Sequence, residues 1–355
     1  MVRAMVVSQP NLFEEMVFPK PEIKDEDMLL KVEMVSVCGS DPKMFMGKHP
    51  LVTLPVILGH EVVGYVDEIG FKAAEIYGVS VGDRIIVEPY IMCRNCEFCL
   101  TGNYQLCAKK RSYGFTISCN ERPHLWGAYS EYLYISPGSK IHKISTDVIP
   151  EAACLATVIG NGVRWIKTKG KAQFGQTVVI IGPGAQGLAS VIVAKEAGLS
   201  KIIVLGTKDD EIRMDLAREY GATHTITVDN DNSLEAVRQI SNGKMADLVV
   251  ECTGNPNAIG EGINYVKPLG RYVIAGVTGG KQASFITDTI VNKEITILGG
   301  HGQSWNVEQA VEIINSKKYR IDKMITHKYS IFNANEAMNF FISKDKSCVR
   351  VAMVP

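Results

Sequence analysis

The sequence predicts an α/β fold in two parts. A β-rich part occupies residues 1–150 and a doubly wound parallel sheet occupies 151–298, and a tail over 299–355 returns to the first part. Three observations predict this. Short β-branched runs, punctuated by Gly, Pro and Asp, fill the first part. Strands and helices alternate after Pro150. A glycine-rich turn at 182–187 joins an apolar strand to an apolar helix.

The first part reads as strands at "MLLKVEMVSVCG", "VVGYVDEIG", "DRIIVEPY" and "AYSEYLYIS". Short strands at this spacing predict a barrel or a sandwich. Pro150 then opens a helix with an acidic first turn, over 151–168. Beyond it come "TVVIIG", a helix over 185–197, "KIIVL", a helix over 211–220 and "HTITV". A helix near 234–240, "DLVVEC", a helix near 258–266, "RYVIAGV" and "EITILGG" follow. The tail carries one or two helices and ends on "VRVAMVP".

The turn "GPGAQG" places Gly182, Gly184 and Gly187 in G-x-G-x-x-G, with Ala185 and Gln186 between them. Its position between strand and helix is what gives the motif meaning. The first glycine makes the turn, the second admits a pyrophosphate to the backbone, and the third lets helix and strand pack closely. The helix N-terminus then offers N–H groups to phosphate. About 20 residues on, a carboxylate would hold the ribose of NAD. Gly206 stands there instead, followed by Thr207 and Lys208. A hydroxyl and a cation in place of a carboxylate suit a 2′-phosphate, which favours NADP over NAD. Asp209 and Asp210 are close enough to serve NAD if the register shifts by a few residues.

Composition excludes other classes. The chain has 355 residues, 46% hydrophobic and 21% charged, and a formal net charge of zero. No basic excess points to nucleic acid or an anionic membrane. No run approaches a membrane span, and the N-terminal stretch holds an acidic pair where a leader needs its apolar core, so a cytoplasmic location is expected. Thiols stay reduced there. Four of the nine cysteines fall in "CRNCEFCLTGNYQLC": Cys93, Cys96, Cys99 and Cys107. This spacing aims four thiolates at one centre, a closed shell that suits a structural zinc. Cys119, Cys154, Cys252 and Cys348 lack such spacing and read as small buried apolar residues.

Two further stretches, "VCGSD" ending at Asp41 and "GHEVVG" from Gly59, set soft or imidazole ligands beside carboxylates. With the four-cysteine lobe and the later glycine turn, they make the chain resemble the zinc-dependent medium-chain dehydrogenases, which include alcohol, sorbitol and threonine dehydrogenases. The resemblance spans nearly the whole chain. It implies a GroES-like β-barrel catalytic domain followed by a Rossmann domain, two zinc ions per chain, and a homodimer or homotetramer, with "EITILGG" a candidate for pairing across a dimer axis. It implies that Cys38 and His60 bind a catalytic zinc and that Asp41 fixes the His60 tautomer. Glu61 is a direct or alternate ligand. The family's remaining ligand falls at Thr157, a weak donor, so Cys38, His60, Glu61 and a water are expected.

The resemblance also implies the chemistry: hydride transfer between an alcohol or polyol, or its carbonyl, and NAD(P). Ser40 takes the hydroxyl proton first. Lys43 stands where relatives carry a relay histidine, with His49 a possible substitute. Arg350 resembles a basic residue that touches the cofactor pyrophosphate. Tyr113, Trp126 and Phe45 are candidates either for the cleft wall or for core packing. Two other readings stay open: a zinc-independent, NADPH-dependent reductase of activated double bonds, and a catalytically silent nucleotide-binding protein. A metal count separates the first alternative, and turnover separates the second.

Overall fold

The computed structural model describes residues 1–229 and 232–355. The chain forms two compact units, Met1–Thr157 with Val311–Pro355, and Val158–Ala310. The boundaries expected from the sequence fall at 150/151 and 298/299.

The first unit is built around a mostly antiparallel sheet. Its strands run in the order Ile141–Lys143, Arg84–Val87, Glu61–Ile69, Met28–Ser36, Arg350–Val354 and Ile325–Ser330, and Tyr132–Ile135 also pairs with Met28–Ser36. A second sheet sets Val2–Gln9 between Leu12–Phe18 and Val56–Ile57. Alternating apolar residues seal the core between them: Val35 and Val37, Val62 and Val66, Ile85 and Val87. The tail belongs to this core, because Ile331, Ala337, Met338, Val351 and Met353 are buried in it. Its last strand fixes a register used below, with Ser36 opposite both Glu61 and Ala352 on the two neighbouring strands. The strand Ile325–Ser330 escaped the sequence reading. Its residues "ITHKYS" are only partly buried, so no apolar run marks it.

The four-cysteine lobe is an excursion closed by a two-stranded ladder, Tyr90–Ile91 with Arg111–Ser112. Its only helical pieces are Glu97–Leu100 and Tyr104–Leu106. Phe98, Leu100 and Leu106 are exposed, so the lobe has little apolar core of its own.

The second unit is a six-stranded parallel sheet. Its order is His224–Thr227, Lys201–Gly206, Thr177–Ile181, Ala246–Glu251, Val266–Ile274 and Thr296–Gly299. This is the doubly wound order, with the strand before the glycine turn at the switch point. The helix expected over 151–168 is interrupted. Pro150–Ala153 stops at a tight turn, where the Leu155 N–H bonds Ala152 O, and Ala156–Val163 starts afresh. The last stretch, Arg164–Lys169, widens into a π-helix: the Gly170 N–H reaches Trp165 O, while the Trp165 indole donates to Gly300 O.

Candidate active site and metal centres

The four cysteines of the lobe converge. All are free, and their sulfurs lie within 4.8 Å of one another. The Cys93–Cys99 separation of 3.9 Å is far from a bonded pair at about 2.05 Å. It is close to the edge of a tetrahedron of bonds about 2.3 Å long, as zinc makes to sulfur. Backbone N–H groups of Ala108 and Cys99 hold the Cys96 thiol down to about 6, and the N–H of Asn95 lowers Cys93. Burial pushes Cys99 up to about 12. The donor set fits a zinc.

The lobe is tied to the rest of its unit by a buried carboxylate. Tyr104 Oη donates to Glu88 Oε2 at 2.7 Å, and His142 Nε2 lies 2.7 Å from Glu88 Oε1.

The second cluster is assembled from distant segments. Cys38 sits in the turn after the strand Met28–Ser36, and His60 immediately precedes Glu61–Ile69. Ligand atoms of Cys38, His60 and Glu61 lie within 4.8 Å of one another. Asp41 opens the short helix Asp41–Phe45 and is fully buried. Its Oδ2 accepts from the Cys38 N–H and from Tyr129 Oη, each at 2.8 Å. Its Oδ1 faces His60 Nδ1 at 3.6 Å, and neither atom has a hydrogen-bond partner among the described residues. Nδ1 is thus turned toward Asp41, which leaves Nε2 as the nitrogen for a metal. Burial lowers the His60 pKa, but Cys38, Asp41 and Glu61 outweigh it and lift it to about 10. The pocket is therefore a place that favours positive charge, and its donors fit a zinc.

Glu61 is engaged twice over. Arg350 Nη2 donates to both carboxylate oxygens at 2.6 Å, and the Ser36 hydroxyl bonds Oε2. The register explains this, since Ser36 lies opposite Glu61 on one side and opposite Ala352, two residues after Arg350, on the other. Arg350, expected at the cofactor pyrophosphate, is buried and pairs with Glu61. Cys154 lies near this pair, and burial raises its thiol well above the usual range. Thr157 is buried, and its Oγ1 has no hydrogen-bond partner among the described residues.

Ser40 is the N-cap of the helix Asp41–Phe45, yet its hydroxyl makes no capping bond. Lys43 is half-buried in that helix. The His49 ring meets Phe115 edge-on at 5.6 Å, and Phe115 meets His60 edge-on at 6.0 Å. Burial and Lys43 lower the His49 pKa. His49 Nδ1 accepts from the Leu51 N–H at 3.2 Å, so in the neutral ring the proton sits on Nε2. That tautomer has no free lone pair to receive a proton.

The three candidate aromatic residues are core. Phe45 stacks on Phe13 at 4.8 Å. Trp126 packs against Tyr113 and Tyr134 and donates to Glu121 O. Tyr113 bonds Ser139 Oγ at 2.6 Å. Sequence reading missed Phe115, Tyr129 and Ser36. No local motif marks them, for Tyr129 and Asp41 are 88 residues apart.

In the second unit the glycine turn has the expected form. Gly182 has φ +95°, and a Cβ on Gly187 would fall 1.9 Å from Gly182 O. A Cβ on Gly184 would meet no atom within 4 Å, so that face is open. Ala185 begins the helix Ala185–Glu196, and Gln186 Oε1 accepts from Asn161 Nδ2 at 3.3 Å. At Gly206 a Cβ would meet Met214 Cε at 2.9 Å and Pro183 Cγ at 3.0 Å, leaving little room for a longer side chain. Asp210 turns back to cap Thr207, bonding its N–H at 2.9 Å and its hydroxyl at 2.7 Å, and pairs with Arg213 at 2.6 Å. Thr207, Lys208, Met214 and Arg218 line a cavity of about 330 Å³ beside this turn.

Comparison with known proteins agrees with this geometry. Residues 24–146 match the alcohol dehydrogenase GroES-like domain, and residues 185–316 match the zinc-binding dehydrogenase family. The chain is 33% identical to a probable alcohol dehydrogenase of Mycobacterium tuberculosis, over 99% of this chain and 91% of the relative. It is 30% identical to a sorbitol dehydrogenase of Halalkalibacterium halodurans, over 95% of this chain and 94% of the relative. A crystal structure of an alcohol dehydrogenase from Thermotoga maritima superposes with TM-score 0.92 at 28% identity, covering 100% of this chain and 99% of that one. The chain belongs to the zinc-dependent medium-chain dehydrogenase family. It is an oxidoreductase that moves a hydride between an alcohol, or the matching carbonyl, and a nicotinamide dinucleotide.

Proposed function

We propose that the chain oxidises an alcohol or polyol, or reduces the matching ketone or aldehyde, with two zinc ions per chain and with NADP preferred to NAD. The observation that carries this reading is the convergence of Cys38, His60 and Glu61, with Asp41 facing the far nitrogen of His60. Cys38 and His60 would hold a zinc there, which would supply Lewis-acid chemistry at a substrate hydroxyl. Glu61 serves as an alternate ligand, because Arg350 and Ser36 already occupy its carboxylate. The uncapped Ser40 hydroxyl takes the proton, and Lys43 is the next group on its way out. The second zinc, at Cys93, Cys96, Cys99 and Cys107, braces the lobe.

Gly182, Gly184, Ala185, Gln186 and Gly187 form the pyrophosphate turn. Gly206, Thr207 and Lys208 favour the 2′-phosphate, since Asp210 is committed to Thr207 and Arg213. The cytoplasm suits a chain with a four-thiol cage. Among the described residues no helix is long and apolar enough to cross a membrane. A homodimer or homotetramer is supported by the sheet edge Thr296–Gly299 and by exposed Val277, Ile286 and Val291 in the same unit.

The test is a panel of alcohols, polyols and hydroxy acids with each cofactor, on protein of measured zinc content. Two zinc ions and turnover on a member of the panel are expected. A single zinc, or no turnover on any alcohol or carbonyl, would refute the reading. Lys208→Ala should raise KM for NADP about tenfold, as expected for one lost charge-assisted bond, and leave that for NAD nearly unchanged. Equal changes for both cofactors would reject the NADP preference.

A further inference from the structure

Tyr129 has no part in the reading above, yet the chain builds a place for it. Its backbone is clamped on both sides: its N–H bonds Leu58 O at 2.9 Å, and its carbonyl accepts from the Met5 N–H at 2.8 Å. The Ala128 N–H bonds Gly59 O at 2.9 Å. The ring passes directly over Gly59. A Cβ there would fall 2.5 Å from Tyr129 Cδ1, and Gly59 also has φ +92°, so space and backbone both demand glycine next to His60. Phe13 packs on the ring at 5.9 Å. The side chain is fully buried, and Asp41 is the partner of its hydroxyl.

From this geometry we infer that Tyr129 is a positioning residue for the catalytic metal, acting through Asp41 on His60. The inference rests on the proposed zinc site at Cys38 and His60. Asp41 Oδ2 takes two donors, the Cys38 N–H and Tyr129 Oη, which fixes the plane of the carboxylate. Oδ1 is then left facing His60 Nδ1. An imidazole whose far nitrogen is turned to a carboxylate presents the near one to a metal. Cys38, the other ligand, is held by the same carboxylate through its N–H, so one rigid group sets both metal donors. The Cys38 N–H alone would leave the carboxylate free to rotate about its remaining bond. The tyrosine hydroxyl removes that freedom, which makes the site pre-formed.

The test uses the full chain with both zinc ions loaded. Tyr129→Phe deletes one oxygen and keeps the ring, so packing over Gly59 is preserved. Zinc held at each site is followed by competition with a chelator, and the visible spectrum is recorded after cobalt replaces zinc at the Cys38 site. Partners of a metal-binding histidine change affinity by about 10–100-fold. One step further out, Tyr129→Phe should weaken retention at the Cys38 site about fivefold to tenfold and shift the cobalt bands. The four-cysteine site should hold its zinc as in the parent, which reports an intact fold. In an Asp41→Asn background the same Tyr129→Phe change should have no further effect, because its route is gone. Unchanged retention and spectrum in a parent that holds two zinc ions would overturn the inference alone. An equal loss with and without Asp41 would overturn it too, by showing a general packing role. A parent that binds only the lobe zinc would overturn the zinc site itself, and the inference with it.

Discussion

The two donor clusters of the first unit are built in opposite ways. The lobe draws all four donors from one stretch, Cys93 to Cys107, and its nearest supports are local backbone N–H groups. The Cys38 cluster gathers Cys38, Asp41, His60, Glu61, Tyr129 and Arg350 from across the chain, with Glu61 and Arg350 289 residues apart. A closed shell of like donors needs only a loop. A mixed set that must keep a position open for substrate needs outside groups to aim each donor. The lobe is therefore autonomous, and the Cys38 site depends on the whole first unit.

This contrast makes Cys38→Ser the variant with the largest effect on turnover. Lewis-acid stabilisation is worth several kcal/mol, so kcat/KM should fall by about a thousandfold or more. Lobe zinc and thermal midpoint should stay close to the parent. Full activity in steady-state assays would reject the catalytic site. Arg350→Met tests how far the Cys38 site leans on distant groups. It leaves the Glu61 carboxylate buried with one hydroxyl for company, and breaking such a pair costs about 3–5 kcal/mol. Denaturant unfolding should show that loss. A combined Glu61→Gln and Arg350→Met change should recover part of it, and equal losses in the single and double variants would show that the pair contributes no coupling.

The same contrast explains what could be read from the sequence. Features carried by contiguous residues were legible: the parallel sheet from its strand–helix alternation, the glycine turn, and the spacing of the four cysteines. Cys38, His60 and Asp41 sit in short motifs that gain meaning only through family resemblance. What stayed hidden depends on register and tertiary packing. Tyr129 looks like any strand aromatic, and Phe115 like any loop aromatic. Arg350 meets Glu61 only because Ser36 lies opposite both Glu61 and Ala352 in neighbouring strand pairs. Tyr113, Trp126 and Phe45 show the converse, since large aromatics near motif residues turned out to fill the core. The strand Ile325–Ser330 was missed because half-exposed, mixed residues carry no alternation.

If the lobe is scaffold, Cys99→Ser should act on stability rather than on chemistry. Losing one of four thiolates weakens a cross-link that replaces a core the lobe lacks. A midpoint drop of about 5–10 °C is expected, which is about 2–3 kcal/mol for a body of this size. The folded enzyme should keep most of its kcat, and the zinc count should fall by up to one. A variant as heat-resistant as the parent would contradict the scaffold role.

Tyr104→Phe gives the smallest effect and the sharpest contrast with Tyr129. Both tyrosines donate to a buried carboxylate at the edge of a donor cluster, Tyr104 to Glu88 and Tyr129 to Asp41. Glu88, however, faces His142, which is no metal donor, whereas Asp41 faces His60. Removing the Tyr104 hydroxyl leaves Glu88 Oε2 without that donor, at about 1–2 kcal/mol. Because the cysteine sulfurs are supported by backbone N–H groups rather than through Glu88, lobe zinc should resist a chelator as it does in the parent. The carboxylate at Glu88 then anchors the lobe to the barrel without tuning its metal. Faster zinc loss from the lobe in Tyr104→Phe would mean that the cage is not autonomous, and the distinction between the two clusters would be one of degree.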